Sequence, residues 1–129
     1  MKNVAQGDLS FKNMTLKEKQ WLFTRCLWRL LEFFYTEHPH WDISIDEAYR
    51  PPETAELYEK QGRGIKNSLH CLRLAVDLNL FIDGVYQRSA EPYRFLGEYW
   101  KSLHPLCAWG GDFKNRDARH FSIRHGGRE

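Results

Sequence analysis

A helical pattern of apolar residues marks the first clearly patterned segment of the chain, residues 15–37. The apolar positions recur three and four residues apart, and one helix face then carries Leu22, Cys26, Leu27, Leu30, Leu31 and Phe34. Thr15 and Glu18 have the spacing of a capping box, so we predict a long amphipathic helix that begins after Thr15. Trp21 and Trp28 could form a binding stripe, but a place in the helix core or at its edge is favoured.

After this helix the pattern changes to alternation, which indicates strands. Ile43 and Ile45 predict a short strand, and the two prolines at positions 51 and 52 end it. Pro52 is suited to the first turn of a short helix, which we expect to end near Gly62. A glycine-containing loop, GRGIKNS, follows.

The segment SLHCLRLAVDLNLF, residues 68–81, predicts a buried strand. Its alternating apolar residues are Leu74, Val76, Leu78 and Leu80. Asp83 and Gly84 follow shortly after, and this pair is a strong signal for a two-residue hairpin turn. VYQR, residues 85–88, is then the returning strand.

The last third of the chain predicts one more helix and one more strand. The helix starts near Ser89 and is stopped by Pro105, and a strand is expected over residues 120–123, before a polar tail. The order of elements predicts an α+β fold, with a small antiparallel sheet flanked by helices. The 129 residues fit a single domain, residues 1–129.

Composition and charge indicate a globular protein but do not indicate its function. Hydrophobic residues make up 42% and charged residues 28%, as in globular proteins. A formal net charge of +2 does not point to nucleic acid, and the sequence predicts neither a signal peptide nor a membrane-spanning helix. Cys26, Cys71 and Cys107 are expected to be buried free thiols, which fits synthesis in a reducing compartment.

Two residues of segment 68–81 are unusual for a core strand. His70 stands near its start and Asp77 in its middle. Their odd separation puts them on opposite faces of a regular strand, so they reach one point only if the backbone bends between them. A carboxylate among apolar neighbours needs a cation, a metal or several donors, although a place on the solvent face explains Asp77 equally well.

The sequence RDARHF adds Asp117 and His120, three residues apart. Together with His70 and Asp77 they make two imidazoles and two carboxylates. This set is sufficient for a catalytic zinc site with three ligands, an open position for water and a separate base.

In these residues the chain resembles the family of zinc D-alanyl-D-alanine carboxypeptidases and L-alanyl-D-glutamate endopeptidases, which includes small phage endolysins. The family pattern is S-x-H-x-x-G-x-A-x-D, followed later by a carboxylate three residues before a second histidine. The matching positions are Ser68, His70, Ala75, Asp77, Asp117 and His120. AYRPPETAELYEKQG and WGGDF also resemble family segments. Arg73 replaces the glycine of the pattern, so the bend expected there lacks glycine's backbone freedom.

The resemblance implies a role for each of these residues. His70, Asp77 and His120 would hold Zn²⁺. Asp117 would be the general base, and Arg50 would stabilise the developing oxyanion or hold a substrate carboxylate.

Three further residues are expected to support the site or to contact substrate. Ser68 either orients the site or only makes a turn. Trp109 is expected at the floor of the cleft, and Tyr58 lies on the short helix of the family-like segment. Residues 41–125 would form the peptidase core, and residues 1–40 would be a helical segment outside the family match.

The implied function is zinc-dependent hydrolysis of a peptide bond in the stem peptide of bacterial peptidoglycan, with an endolysin-type L-alanyl-D-glutamate endopeptidase favoured. The alternatives are a D,D- or L,D-carboxypeptidase, or a non-catalytic relative that binds zinc or the cell wall. We expect a monomer that binds peptidoglycan stem peptides, does not bind nucleic acid and does not insert into a membrane. It would be made in the host cytoplasm without a signal peptide and reach the wall after release.

Overall fold

A computed structural model describes residues 13–65 and 67–129 and confirms the predicted α+β fold. This part of the chain forms three α-helices and a small open sheet whose strands all pair antiparallel. The prediction that the chain has no signal peptide rests partly on residues 1–12, which lie outside the described ranges. Across those ranges no helix has the length and apolar character needed to cross a membrane.

The first helix, α1, spans Leu16–Glu37 and begins as its sequence predicts. Thr15 Oγ1 accepts a hydrogen bond from the Glu18 N–H (3.1 Å), and the Glu18 carboxylate accepts one from the Thr15 N–H (2.9 Å). The helix packs against a later helix and a sheet strand through a buried face formed by Leu22, Phe23, Cys26, Leu30 and Phe34. The capping box therefore determines where α1 begins, and the amphipathic pattern determines which face of it is buried.

The two tryptophans of α1 lie outside the core. Trp21 is 58% exposed and Trp28 is 56% exposed, so of the two favoured positions, core or edge, neither ring occupies the core. The Arg29 guanidinium lies 4.8 Å from the centre of the Trp28 ring, and the Lys17 amine lies 6.0 Å from the Trp21 ring. Cationic neighbours thus cover part of each exposed indole.

Two shorter helices and five strands complete the described fold. Helix α2 is Pro52–Lys60, and α3 is Arg94–Leu103, preceded by a short 3₁₀ turn. The strands are β1 (Asp42–Glu47), β2 (Ala75–Ile82), β3 (Val85–Tyr86), β4 (Cys107–Trp109) and β5 (His120–Ile123). Their order in the sheet is β1-β2-β5-β4, and β3 forms the predicted hairpin with the far end of β2.

The structure divides the predicted strand 68–81 into two parts. Leu69–Leu72 is a turn of 3₁₀ helix, and β2 begins only at Ala75. Arg73 joins them in the left-handed region (φ 58°, ψ 36°), at the position where the family pattern has glycine. This conformation costs an L-residue roughly 1–2 kcal/mol. The Arg73 guanidinium lies 3.9 Å from the centre of the Tyr49 ring, and this contact offsets part of that cost.

The hydrophobic core lies between the helices and one face of the sheet. Val76 of β2 is paired with Phe121 of β5, and the Phe121 ring contacts Trp100 of α3 at 5.9 Å between ring centres. Cys26 and Cys107 are buried free thiols, as predicted, with 3.7 Å between their sulfur atoms. Cys71 is also free but only partly buried, because it lies in the 3₁₀ turn rather than in a core strand.

Candidate metal centre

The register of the sheet brings two of the predicted ligands together. Asp77 of β2 is directly opposed to His120 of β5. Directly opposed side chains leave a sheet on the same face, and successive residues alternate between faces. The neighbouring pair, Val76 and Phe121, therefore points into the core, and Asp77 and His120 point away from it.

His70 reaches the same point because the chain turns before β2 begins. Ser68 caps the 3₁₀ turn, and its Oγ accepts a hydrogen bond from the His70 N–H (3.1 Å). The left-handed Arg73 ends the turn, and the Leu74 N–H donates to the Leu69 carbonyl oxygen (3.1 Å). In a regular strand His70 and Asp77 would point to opposite faces. This turn is the backbone bend that brings both side chains to one point.

Three candidate ligand atoms converge at this point. Asp77 Oδ1 lies 3.4 Å from His70 Nε2 and 3.5 Å from His120 Nδ1. The outer ring nitrogens contact main-chain oxygens, with His70 Nδ1 at 2.9 Å from Ala48 O and His120 Nε2 at 3.0 Å from Glu129 O. These oxygens accept hydrogen bonds, so the outer nitrogens carry the hydrogens, and the inner nitrogens of the neutral rings present lone pairs.

The electrostatics of the three residues fit a bound cation. Asp77 Oδ1 is buried and has no hydrogen-bond partner among the described residues. Burial alone would raise the pKa of Asp77, but interactions with His120 and His70 hold it well below the usual range. Burial lowers the pKa of His70, but Asp77 more than compensates and raises it. The donor set of two imidazole nitrogens and one carboxylate oxygen fits a divalent metal such as zinc.

Arg50 is held beside this centre by several contacts. Its guanidinium forms an ion pair with Glu47, with 2.8 Å between Arg50 Nε and Glu47 Oε1, and lies 5.0 Å from the centre of the Tyr58 ring. Its backbone N–H donates to the His70 carbonyl oxygen (3.1 Å). Sequence reasoning missed Glu47, although its spacing of three residues from Arg50 was a usable signal.

A tight turn fixes Asp117 next to His120. The Asp117 N–H donates to the Gly110 carbonyl oxygen (2.9 Å), and the His120 N–H donates to the Asp117 carbonyl oxygen (3.0 Å). A Cβ atom at Gly110 would lie 2.0 Å from the Asp117 carbonyl oxygen and 2.9 Å from His120 Cβ. Only glycine allows this close approach, which gives the first glycine of WGGDF a structural reason.

Trp109 and Tyr58 lie behind the site rather than at its centre. Trp109 is buried, and its Nε1–H donates to the Ala118 carbonyl oxygen (2.7 Å), which supports the loop that carries Asp117. The partly buried Tyr58 ring contacts the guanidinium groups of Arg50 and Arg63, at 5.0 and 4.4 Å from the ring centre.

The three candidate ligands lie in a cleft of about 680 Å³. Its wall also includes Arg50, Ser68 and Asp117, so the structure brings these predicted residues into one cavity. Further side chains that sequence reasoning did not select line it as well: Arg63, Phe113, Asn115, Arg128 and Glu129. The Phe113 ring lies 5.5 Å from the His120 ring, between centres.

Comparison with known protein families identifies the same part of the chain that carries the candidate metal centre. A family model described as D-alanyl-D-alanine carboxypeptidase matches residues 61–123. This range includes all three candidate ligands and Asp117, whereas Arg50 and Tyr58 precede it. No curated protein matches the chain.

Among solved structures, the chain is similar to the Serratia marcescens L-Ala D-Glu endopeptidase ChiX. The TM-score is 0.64 at 18% sequence identity, and the match covers 91% of this chain and 96% of that one. The match covers more of the chain than residues 41–129 comprise, so the likeness in fold extends into the first forty residues. The family match over residues 61–123, just under half of the chain, supports the family that the sequence resembles, and the Serratia marcescens endopeptidase shares the fold.

Proposed function

We propose that the protein is a zinc peptidase that hydrolyses a peptide bond in the stem peptide of bacterial peptidoglycan. The observation that carries the proposal is the convergence of His70, Asp77 and His120, with a buried carboxylate oxygen that lacks a hydrogen-bond partner among the described residues. Catalytic zinc sites use three such ligands and leave one position open. The match of residues 61–123 to a family model described as D-alanyl-D-alanine carboxypeptidase supports a cell-wall peptide as the substrate.

The residues around the proposed zinc have complementary chemical roles. When bound, zinc would act as a Lewis acid and make a water molecule more acidic. The Asp117 carboxylate accepts the proton of the attacking water and transfers it to the leaving amine. Arg50 donates hydrogen bonds to the scissile carbonyl oxygen as negative charge develops on it. The ion pair with Glu47 holds Arg50 ready for this role.

We further propose an endopeptidase of the L-alanyl-D-glutamate type, acting on the wall after release from the host cytoplasm. An endopeptidase needs a cleft with room for the peptide on both sides of the cut bond. The cleft of about 680 Å³, bordered by the loops around Arg63 and Asn115, supports this, as does the named activity of the Serratia marcescens neighbour. A D,D- or L,D-carboxypeptidase is the second candidate, since Arg63 and Arg128 line the cleft and are suited to a terminal carboxylate.

Digestion of purified peptidoglycan by the zinc-loaded protein, followed by mass spectrometry of the new termini, tests the proposal. New L-alanine carboxyl ends and D-glutamate amino ends would support the endopeptidase. Released D-alanine with intact cross-linked chains would instead support the carboxypeptidase. An absence of new termini would contradict a catalytic function on this polymer.

The role of Asp117 has its own test. We expect Asp117→Ala to bind zinc normally but to lose about 10²–10⁴-fold in turnover, because a general acid–base typically contributes that much. Asp112→Ala is a matched control, since Asp112 is an exposed carboxylate nearby that pairs with Lys101 (2.7 Å). We expect the control to keep full turnover. Unchanged turnover in Asp117→Ala would remove this residue from the mechanism.

A further inference from the structure

Residues 124–129 form a tight hairpin rather than the loose polar tail that the sequence suggested. His125 and Arg128 exchange two backbone hydrogen bonds, with N···O distances of 3.1 and 3.0 Å. Gly126 (φ +57°) and Gly127 (φ +78°) occupy the turn, and positive φ at both central residues is typical of a two-residue hairpin loop. The hairpin follows the end of the family match at Ile123.

The hairpin places one backbone oxygen next to the metal centre. The Glu129 main-chain oxygen accepts hydrogen bonds from His120 Nε2–H (3.0 Å) and from the Ser122 hydroxyl (2.6 Å). His120 and Ser122 are two residues apart in β5, so both side chains lie on the same face and can reach one acceptor. Arg128 ties the hairpin to the loop before the 3₁₀ turn, since its Nη1 donates to the Asn67 carbonyl oxygen (2.7 Å).

Close packing does not explain the position of this hairpin. A second cavity of about 390 Å³ lies against it, lined also by Lys19 and Leu106. Gly126, Gly127 and Glu129 are all exposed residues. The contacts that fix the hairpin are therefore mainly hydrogen bonds, and two of them converge on the Glu129 main-chain oxygen, which faces His120.

We propose that the hairpin of residues 124–129 is a positioning element of the metal centre. The Glu129 main-chain oxygen keeps the hydrogen of the neutral His120 ring on Nε2, so that the Nδ1 lone pair faces Asp77. Ser122 holds that oxygen in place, and the Ala48 carbonyl oxygen has the corresponding position for His70. This inference rests on the zinc site proposed above. Outer hydrogen-bond partners of metal-ligating histidines orient the ring and strengthen the ligand in this way.

A pair of matched substitutions tests the hairpin. Gly127 (φ +78°) and Gly84 (φ +79°) have nearly the same φ, and neither would bring a Cβ within 4 Å of another residue. Valine therefore imposes a similar backbone penalty at each position, but only Gly127 belongs to the hairpin beside His120. We expect Gly127→Val to raise the zinc dissociation constant about 10–100-fold, as removal of outer-shell support does. We expect Gly84→Val to bind zinc as tightly as the wild type.

Two measurements separate positioning from a general loss of stability. Competition with a chromophoric chelator gives the zinc dissociation constant, and long-range ¹H–¹⁵N spectra of the zinc-free protein give the tautomer of His120. The wild type and Gly84→Val should show His120 protonated at Nε2, and Gly127→Val should show a mixture of tautomers. Equal zinc affinity in the two variants, with His120 still protonated at Nε2, would overturn the inference and leave the zinc site standing.

Two further outcomes are informative. If Gly127→Val does not fold, Ser122→Ala removes one of the two hydrogen bonds to the Glu129 main-chain oxygen without altering the turn. We expect a smaller rise in the zinc dissociation constant and partial loss of the Nε2–H tautomer, and unchanged values of both would contradict the inference. A wild-type protein that binds no zinc would refute the proposed function itself, and the inference with it.

Discussion

Gly110 is the position where a single methyl group should disturb the site most directly. In Gly110→Ala the new Cβ would lie 2.0 Å from the Asp117 carbonyl oxygen, whereas ordinary contact begins at 3.4 Å. The obstructing atom belongs to the backbone, so the overlap is relieved only if the turn from Asp117 to His120 moves. Overpacking of this kind costs typically about 1–3 kcal/mol, and we expect the upper end because no flexible side chain can absorb the overlap.

The same movement should impair the chemistry more than the fold. His120 and Asp117 sit on the displaced turn, so a proposed ligand and the proposed base shift together. A misplacement of about 1 Å can cost about 10²-fold in rate, and we expect at least that loss in turnover, with weaker zinc binding. Urea unfolding of the zinc-free protein, chelator competition and peptidoglycan digestion measure the three effects.

Gly84→Ala is the control for the general cost of losing a glycine. Its Cβ would meet no atom within 4 Å, but its positive φ (+79°) should cost about 1–2 kcal/mol of stability. Zinc affinity and turnover should remain at wild-type values in this variant. If Gly110→Ala also kept wild-type zinc affinity and turnover, the close approach of Gly110 to the turn would not be what positions the site.

Two further substitutions test the fold. The Tyr93 hydroxyl accepts from the Leu80 N–H (3.1 Å) and donates to the Gln87 carbonyl oxygen (3.0 Å), so Tyr93→Phe leaves a buried strand amide unpaired and should cost about 1–3 kcal/mol in urea unfolding. An unchanged midpoint would mean that the amide finds another partner. Thr15→Ala removes the capping interaction with Glu18 and should cost about 1 kcal/mol by calorimetry, and no loss would show that the capping box is dispensable.

The sequence predicted those parts of the fold whose signals are local and regular. Helix α1 has a strong period and a capping box, and the Asp83-Gly84 pair specifies the hairpin between β2 and β3. The candidate ligand set of His70, Asp77 and His120 was predicted from residue types and the family resemblance, and the structure brings these three residues together. The structure adds the geometry, because the pairing of Asp77 with His120 depends on a register between strands that are distant in sequence.

The errors in prediction arose where one pattern fits two structures. Leu69–Leu72 alternates well enough to resemble the start of a strand, although the chain forms a 3₁₀ turn there. Strand β4 has only three residues, too few to show a period. The Gly126-Gly127 turn was visible in the sequence, but its partner strands are too short for alternation, so the segment resembled a tail. The exposure of Trp28 depends on tertiary packing, which helical spacing alone does not determine.

The direct pairing of Asp77 and His120 bears on how the enzyme can be redesigned. Their separation is set by the hydrogen bonds between β2 and β5 and not by a loop. Residues 62–65, Phe113 and Asn115, which border the cleft, lie in segments outside those strands. We therefore expect grafts at these borders to change which peptide is cut while the zinc affinity of the parent is retained. Strands β2 and β5 would stay unchanged while the bordering loops are replaced. This separation suits the protein to redesign against cell walls of different chemistry.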